Sequence, residues 1–314
     1  MKKILAVMMF VSGVVFIFQS FTVTKEPAIR SKAALGKRLF NEKILSLDSS
    51  VSCASCHKPE LAFADSTAFS LGIKGQFTLR NTPSVLNMKN RPYYFWDGRA
   101  SSLEEQALMP IQNPAEMGLP IEEAVQRLNT SEYYLQLFQR VFREKPNAAN
   151  LAEAFSAFER TLETDNSKFD NWGNNKGKLS KEEENGRQIF LGKGHCFDCH
   201  SMDDFTDDEF RNIGLYDEVS LKDQGRFLVT KNPADLGKMK TPGLRNIALT
   251  APYMHNGMFK TLEEVVEYYD DPLKKIPGAK NLDSSLVFPL HLSSNEKKDL
   301  VAFLKTLTDK AFER

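Results

Sequence analysis

The sequence lacks a net charge and lacks a strand pattern. It contains 41 lysines and arginines against 41 aspartates and glutamates, so its formal charge is zero. No clustered basic face of the kind used by nucleic-acid-binding proteins is present, and we expect no nucleic-acid partner. No segment alternates apolar and polar residues above noise, so we predict a mostly α fold. A length of 314 residues is enough for about two domains, each with its own core.

Cysteine is also scarce, and the four cysteines fall into two copies of one pattern, CASCH at residues 53–57 and CFDCH at residues 196–200. Two thiols three residues apart can add across the vinyl groups of a haem, and the adjacent imidazole can then bind the iron. Two disulfides and a structural zinc site are the alternatives. Because histidine follows both cysteine pairs at once, we favour two covalent c-type haems. The residues that would hold them are Cys53, Cys56, His57, Cys196, Cys199 and His200.

The N-terminus has the layout of a secretory signal. Lys2 and Lys3 precede an apolar run at residues 4–18, and a polar segment follows. We predict that residues 1–24 form a signal peptide. An uncleaved membrane anchor is the alternative, because we find no good small-x-small cleavage site and the apolar run can be extended to Val23. Both interpretations place the folded protein in the periplasm, where these cysteines would otherwise oxidise.

The chain is predicted to be an internal duplication. GKRLF in a predicted helix at residues 29–40 matches GRQIF in a predicted helix at residues 179–190, and a haem motif follows each. Ser180 and Glu183 form a helix-start signature in the second copy. Glycine weakens a helix, so we expect these glycines to allow close approach of another helix or of the haem. The predicted domains are residues 25–165 and 179–314, joined by an Asn- and Gly-rich linker at residues 166–178.

Apolar periodicity predicts five further helices, at residues 121–128, 131–142, 150–164, 262–269 and 294–307. The acidic residues 203–237 lack strong periodicity. We interpret their Asp-rich beginning as a solvated surface rather than a metal site.

Two CxxCH motifs about 140 residues apart, with FWDGRASSLEEQ between them and TPGLRNIALTAPYMHNG after the second, resemble the bacterial dihaem cytochrome c peroxidase and MauG family. The resemblance implies two cytochrome c-like domains, each with one covalent c-type haem. It further implies that the N-terminal haem reacts with hydrogen peroxide and that the C-terminal haem receives or stores electrons. Many of these peroxidases are dimers, but no dimer interface can be identified in this sequence.

The resemblance assigns roles near the first haem. Gln106 and Glu116 match the family's distal pair, with Pro110 packed nearby, and Trp96 matches a tryptophan between the haems. Peroxide cleavage needs a group that moves a proton between the two oxygens and donors that stabilise the departing hydroxide. Burial would raise the pKa of a carboxyl group in such a pocket. From the residues alone, Gln106 and Glu116 would be exposed helix residues and Trp96 a core residue.

The sequence departs from most of the peroxidases at Ile73, where they have a histidine that closes the first haem in its resting state. Isoleucine cannot bind iron. We therefore predict a high-spin, five-coordinate haem at His57 even in the oxidised protein.

A second departure concerns the distal ligand of the second haem. The methionine of the peroxidases corresponds here to Tyr269, and MauG also has tyrosine at the equivalent position. A phenolate ligand would favour higher oxidation states of the iron. The competing candidates are Tyr268, Met239, Met254 and Met258.

The resemblance also implies a calcium ion between the haems, held by Asn81, Thr250 and Pro252 through oxygen donors. His255 matches a family residue near the second haem. We expect His195 and His291 to be surface or packing residues.

Three functions fit these observations. The first is a peroxidase that reduces hydrogen peroxide to water with electrons from a small cytochrome c or cupredoxin. The second is a MauG-like enzyme that uses peroxide to oxidise a protein or small-molecule substrate, which Ile73 and Tyr269 favour. The third is a dihaem electron carrier without catalysis, which needs neither an open iron position nor Gln106 and Glu116.

Overall fold

The computed structural model describes residues 29–312, so the predicted signal or anchor lies outside the described residues. The described chain is mostly helical, as predicted. Its strands are confined to β1 (Phe210–Arg211) and β2 (Met239–Lys240), which pair antiparallel. None of the helices within residues 29–312 has both the length and the apolar character needed to span a bilayer.

Six helices build the first half around one apolar core. Helix α1 crosses α6 closely at Gly36, where a Cβ atom would lie 1.8 Å from the Ala154 carbonyl oxygen. Phe40, Phe138, Phe155 and Leu39 are buried in this core. The six helices are α1 (Lys32–Phe40), α2 (Cys53–Cys56), α3 (Leu103–Gln112), α4 (Ile121–Thr130), α5 (Glu132–Phe142) and α6 (Ala148–Glu159).

The second half repeats this arrangement around its own core. Gly186 lies where α8 crosses α12, and a Cβ atom there would be 1.9 Å from the Asp299 carbonyl oxygen. Both glycines are therefore close-approach positions between helices, as their sequence context predicted. The helices of this half are α8 (Lys181–Leu191), α9 (Phe227–Thr230), α10 (Leu262–Asp270), α11 (Pro272–Lys275) and α12 (Ser294–Lys305).

The predicted linker contains a short helix, α7 (Lys168–Gly173). Ser167 and Asp170 form a capping box at its start. Phe169 packs against the second core, with ring centroids 5.4 Å from Phe205 and 5.6 Å from Phe303. Part of the linker is therefore packed against the second core, where the sequence predicted a linker and no helix.

The helix predicted at residues 150–164 ends earlier, at Glu159. Beyond it the chain bonds to the loop around Asn87 instead of continuing the helix: the Leu162 carbonyl accepts from the Asn87 N–H at 2.8 Å, and Thr164 contacts the Asn87 side chain. Tertiary hydrogen bonds replace helical ones here.

Candidate haem sites

Cys53, Cys56 and His57 form the start of the first site. Helix α2 carries both cysteines, and Ser52 and Ser55 cap its beginning reciprocally. The half-buried His57 follows as the last residue of this turn, with its Nδ1 atom 3.0 Å from the Phe63 carbonyl oxygen. Burial lowers the pKa of His57, which favours the neutral ring. An Nδ1–H that donates to this carbonyl leaves the Nε2 lone pair available for a metal.

The second site has the same local design. Cys196 begins a 3₁₀ turn, and the Nδ1 atom of His200 lies 2.9 Å from the Phe205 carbonyl oxygen. Burial also lowers the pKa of His200. Each histidine is therefore oriented by a backbone carbonyl five or six residues later in the chain.

All four cysteines carry free thiols, and the Cys196 thiol donates to the Gly194 carbonyl oxygen at 3.4 Å. No disulfide joins them. Within residues 29–312, no group of three or more His, Cys, Asp or Glu side chains is arranged to hold a metal ion. Two free thiols beside one neutral, oriented imidazole at each site fit covalent haem. We call the surroundings of His57 and His200 the first and second haem pockets.

Glu116 lies in the turn after α3 and faces the first haem pocket. Burial raises the pKa of Glu116, and the nearby Arg99 and a hydrogen bond from Asn113 oppose this rise only in part. The Asn113 side-chain amide donates to Glu116 Oε1 at 2.6 Å, which fixes the carboxylate. Burial raises the pKa of Cys53 and Cys56, and Glu116 is among the charges that add to both rises. This carboxylate is thus near both haem-attachment thiols.

Gln106 lies in α3, one turn before Pro110, so the two residues lie on the same face of the helix. The Gln106 Oε1 atom is buried and has no hydrogen-bond partner within the described chain. A buried polar atom without a partner is costly in a pocket that stays empty, so Gln106 fits a pocket that receives a polar ligand.

Ile73 is hydrogen-bonded to the backbone of Glu116. Its side chain is buried, and its N–H donates to the Glu116 carbonyl oxygen at 2.9 Å. Gly118 leaves room for this side chain, because a Cβ atom at that position would lie 2.4 Å from Ile73 Cδ1. Residue 73 therefore supplies an apolar surface and no metal-binding atom.

Tyr269 lines the second haem pocket together with His200, in a cavity of about 280 Å³. Burial raises the pKa of Tyr269 strongly, and Cys199 and Cys196 add to the rise, which places its hydroxyl near the attachment thiols. Tyr268 does not line this cavity. It is fully buried elsewhere, and its hydroxyl donates to the Ile213 carbonyl.

The structure also distinguishes among the three methionine candidates for the second haem. Met239 and Met254 line the cavity, whereas Met258 does not line it and is 40% exposed. Three of the five candidate ligands therefore remain in the pocket, namely Tyr269, Met239 and Met254.

Trp96 lies where the two halves meet. Its Nε1–H donates to the Asn81 carbonyl oxygen at 2.9 Å, and the Lys240 N–H from the second half donates to the Trp96 carbonyl at 2.7 Å. The Trp96 ring is 6.4 Å from the ring of His255, in an edge-on arrangement. Burial, more than any nearby charge, lowers the pKa of His255 to about 4.

The three residues expected for calcium border the same large cavity. Asn81, Thr250 and Pro252 all line the cavity of the second haem pocket. The Asn81 side-chain amide donates to the Thr67 carbonyl at 3.1 Å, so its oxygen is the atom left to accept a cation.

The remaining histidines are exposed, as expected. The His195 ring is 3.1 Å from the Asp198 carboxylate at the surface, and His291 is exposed.

Several contributing residues were not predicted from the sequence. Arg99 and Asn113 act on Glu116, and Arg80 binds Asp223 of the second half with two hydrogen bonds of 2.7 and 2.8 Å. The Asp-rich segment is not merely solvated, because Asp204 forms ion pairs with arginines of both halves. Only the Asn-x-x-Glu spacing around Glu116 offered a local signal for any of these contacts.

Comparison with known proteins agrees with this geometry. A family model for di-haem cytochrome c peroxidase matches residues 30–178, and one for cytochrome c matches residues 183–308. The chain is 38% identical over 284 residues to the methylamine utilization protein MauG of Methylorubrum extorquens, covering 90% of this chain and 79% of the relative. It is 37% identical over 290 residues to cytochrome c551 peroxidase of Nitrosomonas europaea, covering 91% and 82%.

A solved structure is also similar. The crystal structure of a MauG-like protein associated with microbial copper homeostasis has a TM-score of 0.83 and 34% identity, covering 90% of each chain. Sequence relatives, fold and paired CxxCH sites all agree. The chain therefore belongs to the di-haem cytochrome c peroxidase family and is an oxidoreductase of that family.

Proposed function

We propose that the chain is a periplasmic peroxidase that binds two covalent haems and reduces hydrogen peroxide to water with electrons from a small cytochrome c or cupredoxin. The observation that supports this proposal most is the buried, unpartnered side-chain oxygen of Gln106, and the raised pKa of Glu116 beside the attachment thiols adds to it. An electron carrier needs neither group, so the third function that the sequence left open is not supported.

Haem bound at His57 would supply the redox-active iron on which the O–O bond is cleaved. Because Ile73 has no metal-binding atom, residue 73 would not compete with peroxide for that iron. Glu116 then acts as the proton carrier: its carboxylate accepts a proton from one peroxide oxygen and returns it to the other. The raised pKa of Glu116 suits this exchange, since a carboxyl group titrating nearer neutral pH both accepts and releases a proton readily.

Gln106 orients the departing oxygen. Its amide offers hydrogen-bond donors that stabilise developing negative charge, and its carbonyl oxygen accepts from the peroxide proton. The Asn113 hydrogen bond and the Arg99 charge keep Glu116 positioned and ionisable. The reaction consumes two electrons and two protons for each peroxide and releases two waters.

Trp96 provides a route for those electrons. Its backbone and side chain bond to residues of both halves, so the indole is held at the interface between the two haem pockets. An aromatic side chain at that place can carry an electron from the second pocket to the first. We propose that calcium at Asn81, Thr250 and Pro252 stiffens the same interface.

Tyr269 supports a second candidate function, a MauG-like oxidation of a protein or small-molecule substrate. Its position beside His200 fits a phenolate ligand, which stabilises oxidised iron and thus suits an enzyme that stores oxidising equivalents. The similarity to the MauG of Methylorubrum extorquens points the same way.

Steady-state turnover separates the two functions. The purified dihaem protein is mixed with hydrogen peroxide and a reduced small cytochrome c or cupredoxin, and donor oxidation is followed by absorbance. A peroxidase oxidises two one-electron donors for each peroxide consumed. Peroxide consumption without donor oxidation would contradict the peroxidase proposal and favour the second function.

A further inference from the structure

Glu159 is a buried acid that the peroxide mechanism does not use. It is the last residue of α6 and is only 5% exposed. No hydrogen bond to its carboxylate is present among the described residues. A carboxylate without a partner in an apolar interior is costly, so Glu159 is expected to hold a proton more readily than an exposed glutamate.

The cation nearest to Glu159 in the sequence, Arg160, is already paired with another carboxylate. Arg160 binds Glu104 through two hydrogen bonds, at 2.7 and 3.0 Å, and the Ser156 hydroxyl donates to the same carboxylate at 2.7 Å. Arg160 and Glu104 are the charges that act on Glu159, with opposite signs, while Lys32 of the adjacent α1 pairs with Glu153. Burial dominates and raises the pKa of Glu159 to about 8.

Glu159 is electrostatically linked to the first haem pocket. After burial itself, Glu159 is the largest contributor to the raised pKa of Cys53, ahead of Glu116. Its neighbour Phe158 packs on Phe40 with ring centroids 5.3 Å apart, and the Phe40 ring is 6.2 Å from the His57 ring. The ring contacts place the C-terminal end of α6, which carries Glu159, close to the first haem attachment.

We propose that Glu159 is a proton-binding group of the first haem pocket that takes up a proton when the haem at His57 is reduced. A one-electron reductant supplies the electron, solvent supplies the proton, and the only bond formed is the O–H bond of the Glu159 carboxyl group. Reduction removes one positive charge from the buried pocket, so the remaining carboxylate becomes less favourable there.

The linkage has a defined sign. The pKa of Glu159 beside oxidised haem is lower than its pKa beside reduced haem. At pH values between these two pKa values, the midpoint potential of the haem at His57 falls as pH rises. The fall is up to about 59 mV for each tenfold decrease in proton concentration. Outside that window Glu159 adds no pH dependence, since it is protonated, or ionised, in both redox states.

Spectroelectrochemical titration of the dihaem protein tests this proposal. The midpoint potential of the haem at His57 is measured from about pH 5 to about pH 10, which brackets the ordinary and the raised pKa of a glutamate. We expect a sloping region in the wild type that is lost in Glu159→Gln. Glu153→Gln, which removes an exposed acid from the same helix, is the matched control and is expected to retain the slope.

Infrared difference spectroscopy can be carried out on the wild-type protein, so this second test does not depend on whether a variant folds. Reduction within the sloping region is expected to produce the C=O band of a protonated carboxyl group, which Glu159→Gln lacks. An unchanged slope in Glu159→Gln, or no carboxyl band on reduction of the wild type, would overturn the proposal. Neither measurement uses peroxide, so either failure leaves the proposed reaction standing.

Discussion

Among single residues, Glu116 has the clearest chemical consequence. Replacement by glutamine keeps the shape of the side chain and removes its ability to carry a proton. We expect Glu116→Gln to lower peroxide turnover by about 10²- to 10⁴-fold, the usual contribution of general acid–base catalysis. Glu122→Gln, on an exposed position of α4, is the control and should leave turnover unchanged. Full activity in Glu116→Gln would argue against the proton-carrier role.

The pH dependence of turnover follows from the raised pKa of Glu116. The ionised carboxylate is the form that accepts the first proton, so activity is present above this pKa and is lost as pH falls through it. Because burial moves the pKa upwards, this acidic limb lies at higher pH than the limb of an exposed glutamate. Glu116→Gln should lack the limb altogether.

Tyr268 and Tyr269 are adjacent in the sequence, so their phenylalanine variants form a matched pair for testing the second haem. Tyr269→Phe removes the proposed ligand, and we expect the absorption and EPR signals of the haem at His200 to change. Tyr268→Phe instead removes the hydrogen bond to Ile213, which should cost about 1–3 kcal/mol of stability and leave both haem spectra unchanged. A methionine–iron charge-transfer band that survives Tyr269→Phe would assign the ligand to Met239 or Met254.

How far the sequence predicts the site differs from residue to residue. The CxxCH pairs are local, so both attachment sites could be placed from spacing alone. Tyr268 and Tyr269 could not be separated by counting, because neighbouring helical residues point about 100° apart and only the packing of α10 shows which faces the pocket. Arg99 reaches Glu116 only through the tertiary fold.

At the scale of elements, each half contains one pair of helices that cross closely at a glycine. Gly36 lies where α1 crosses α6, and Gly186 lies where α8 crosses α12. Gly36→Ala and Gly186→Ala would place a methyl group against a backbone carbonyl. We expect each to destabilise the protein by at least about 1–3 kcal/mol, the usual cost of overpacking, measured by chemical denaturation. Gly173→Ala is the control, because nothing lies within 4 Å of its added carbon. If both alanine variants were as stable as the wild type, the helices could move apart without cost and close approach at the two glycines would not be required.

Helix boundaries were predictable where caps are local. Ser180 and Glu183 form the capping box that their spacing indicated. Helix α7 was missed because its Asn- and Gly-rich surroundings obscure the Ser167–Asp170 box. Apart from Trp172 in the same helix, Phe169 packs on aromatic rings that are distant in the sequence, in α12 and in the loop at Phe205.

At the scale of the whole molecule, charge pairs join the halves. Arg80 binds Asp223 of the second half and Asp97 of the first, at 2.7 and 2.6 Å. We expect Arg80→Gln to destabilise the protein by about 3 kcal/mol, because Asp223 loses its arginine partner and Asp97 keeps only Arg99. Calorimetry should then resolve separate unfolding of the halves. Lys32→Gln, which breaks an exposed pair, should change stability by less than about 1 kcal/mol. Equal stability of both variants would contradict a structural role for Arg80.

Arg80 and Asp223 are 143 positions apart, so no local pattern in the sequence predicts their contact. The same holds for the cavity shared by Asn81 and His255, to which both halves contribute. Sequence periodicity predicts two similar domains, but their relative placement depends on this packing.

The central claim is that the two haem pockets differ: Ile73 leaves the first without a second protein ligand, and Tyr269 supplies one in the second. The EPR spectrum of the purified ferric protein, recorded before any reduction, tests this most directly. We predict one high-spin signal from the haem at His57 and one low-spin signal from the haem at His200. Two low-spin signals would contradict the account, because they would require a ligand at the first haem that residue 73 cannot provide.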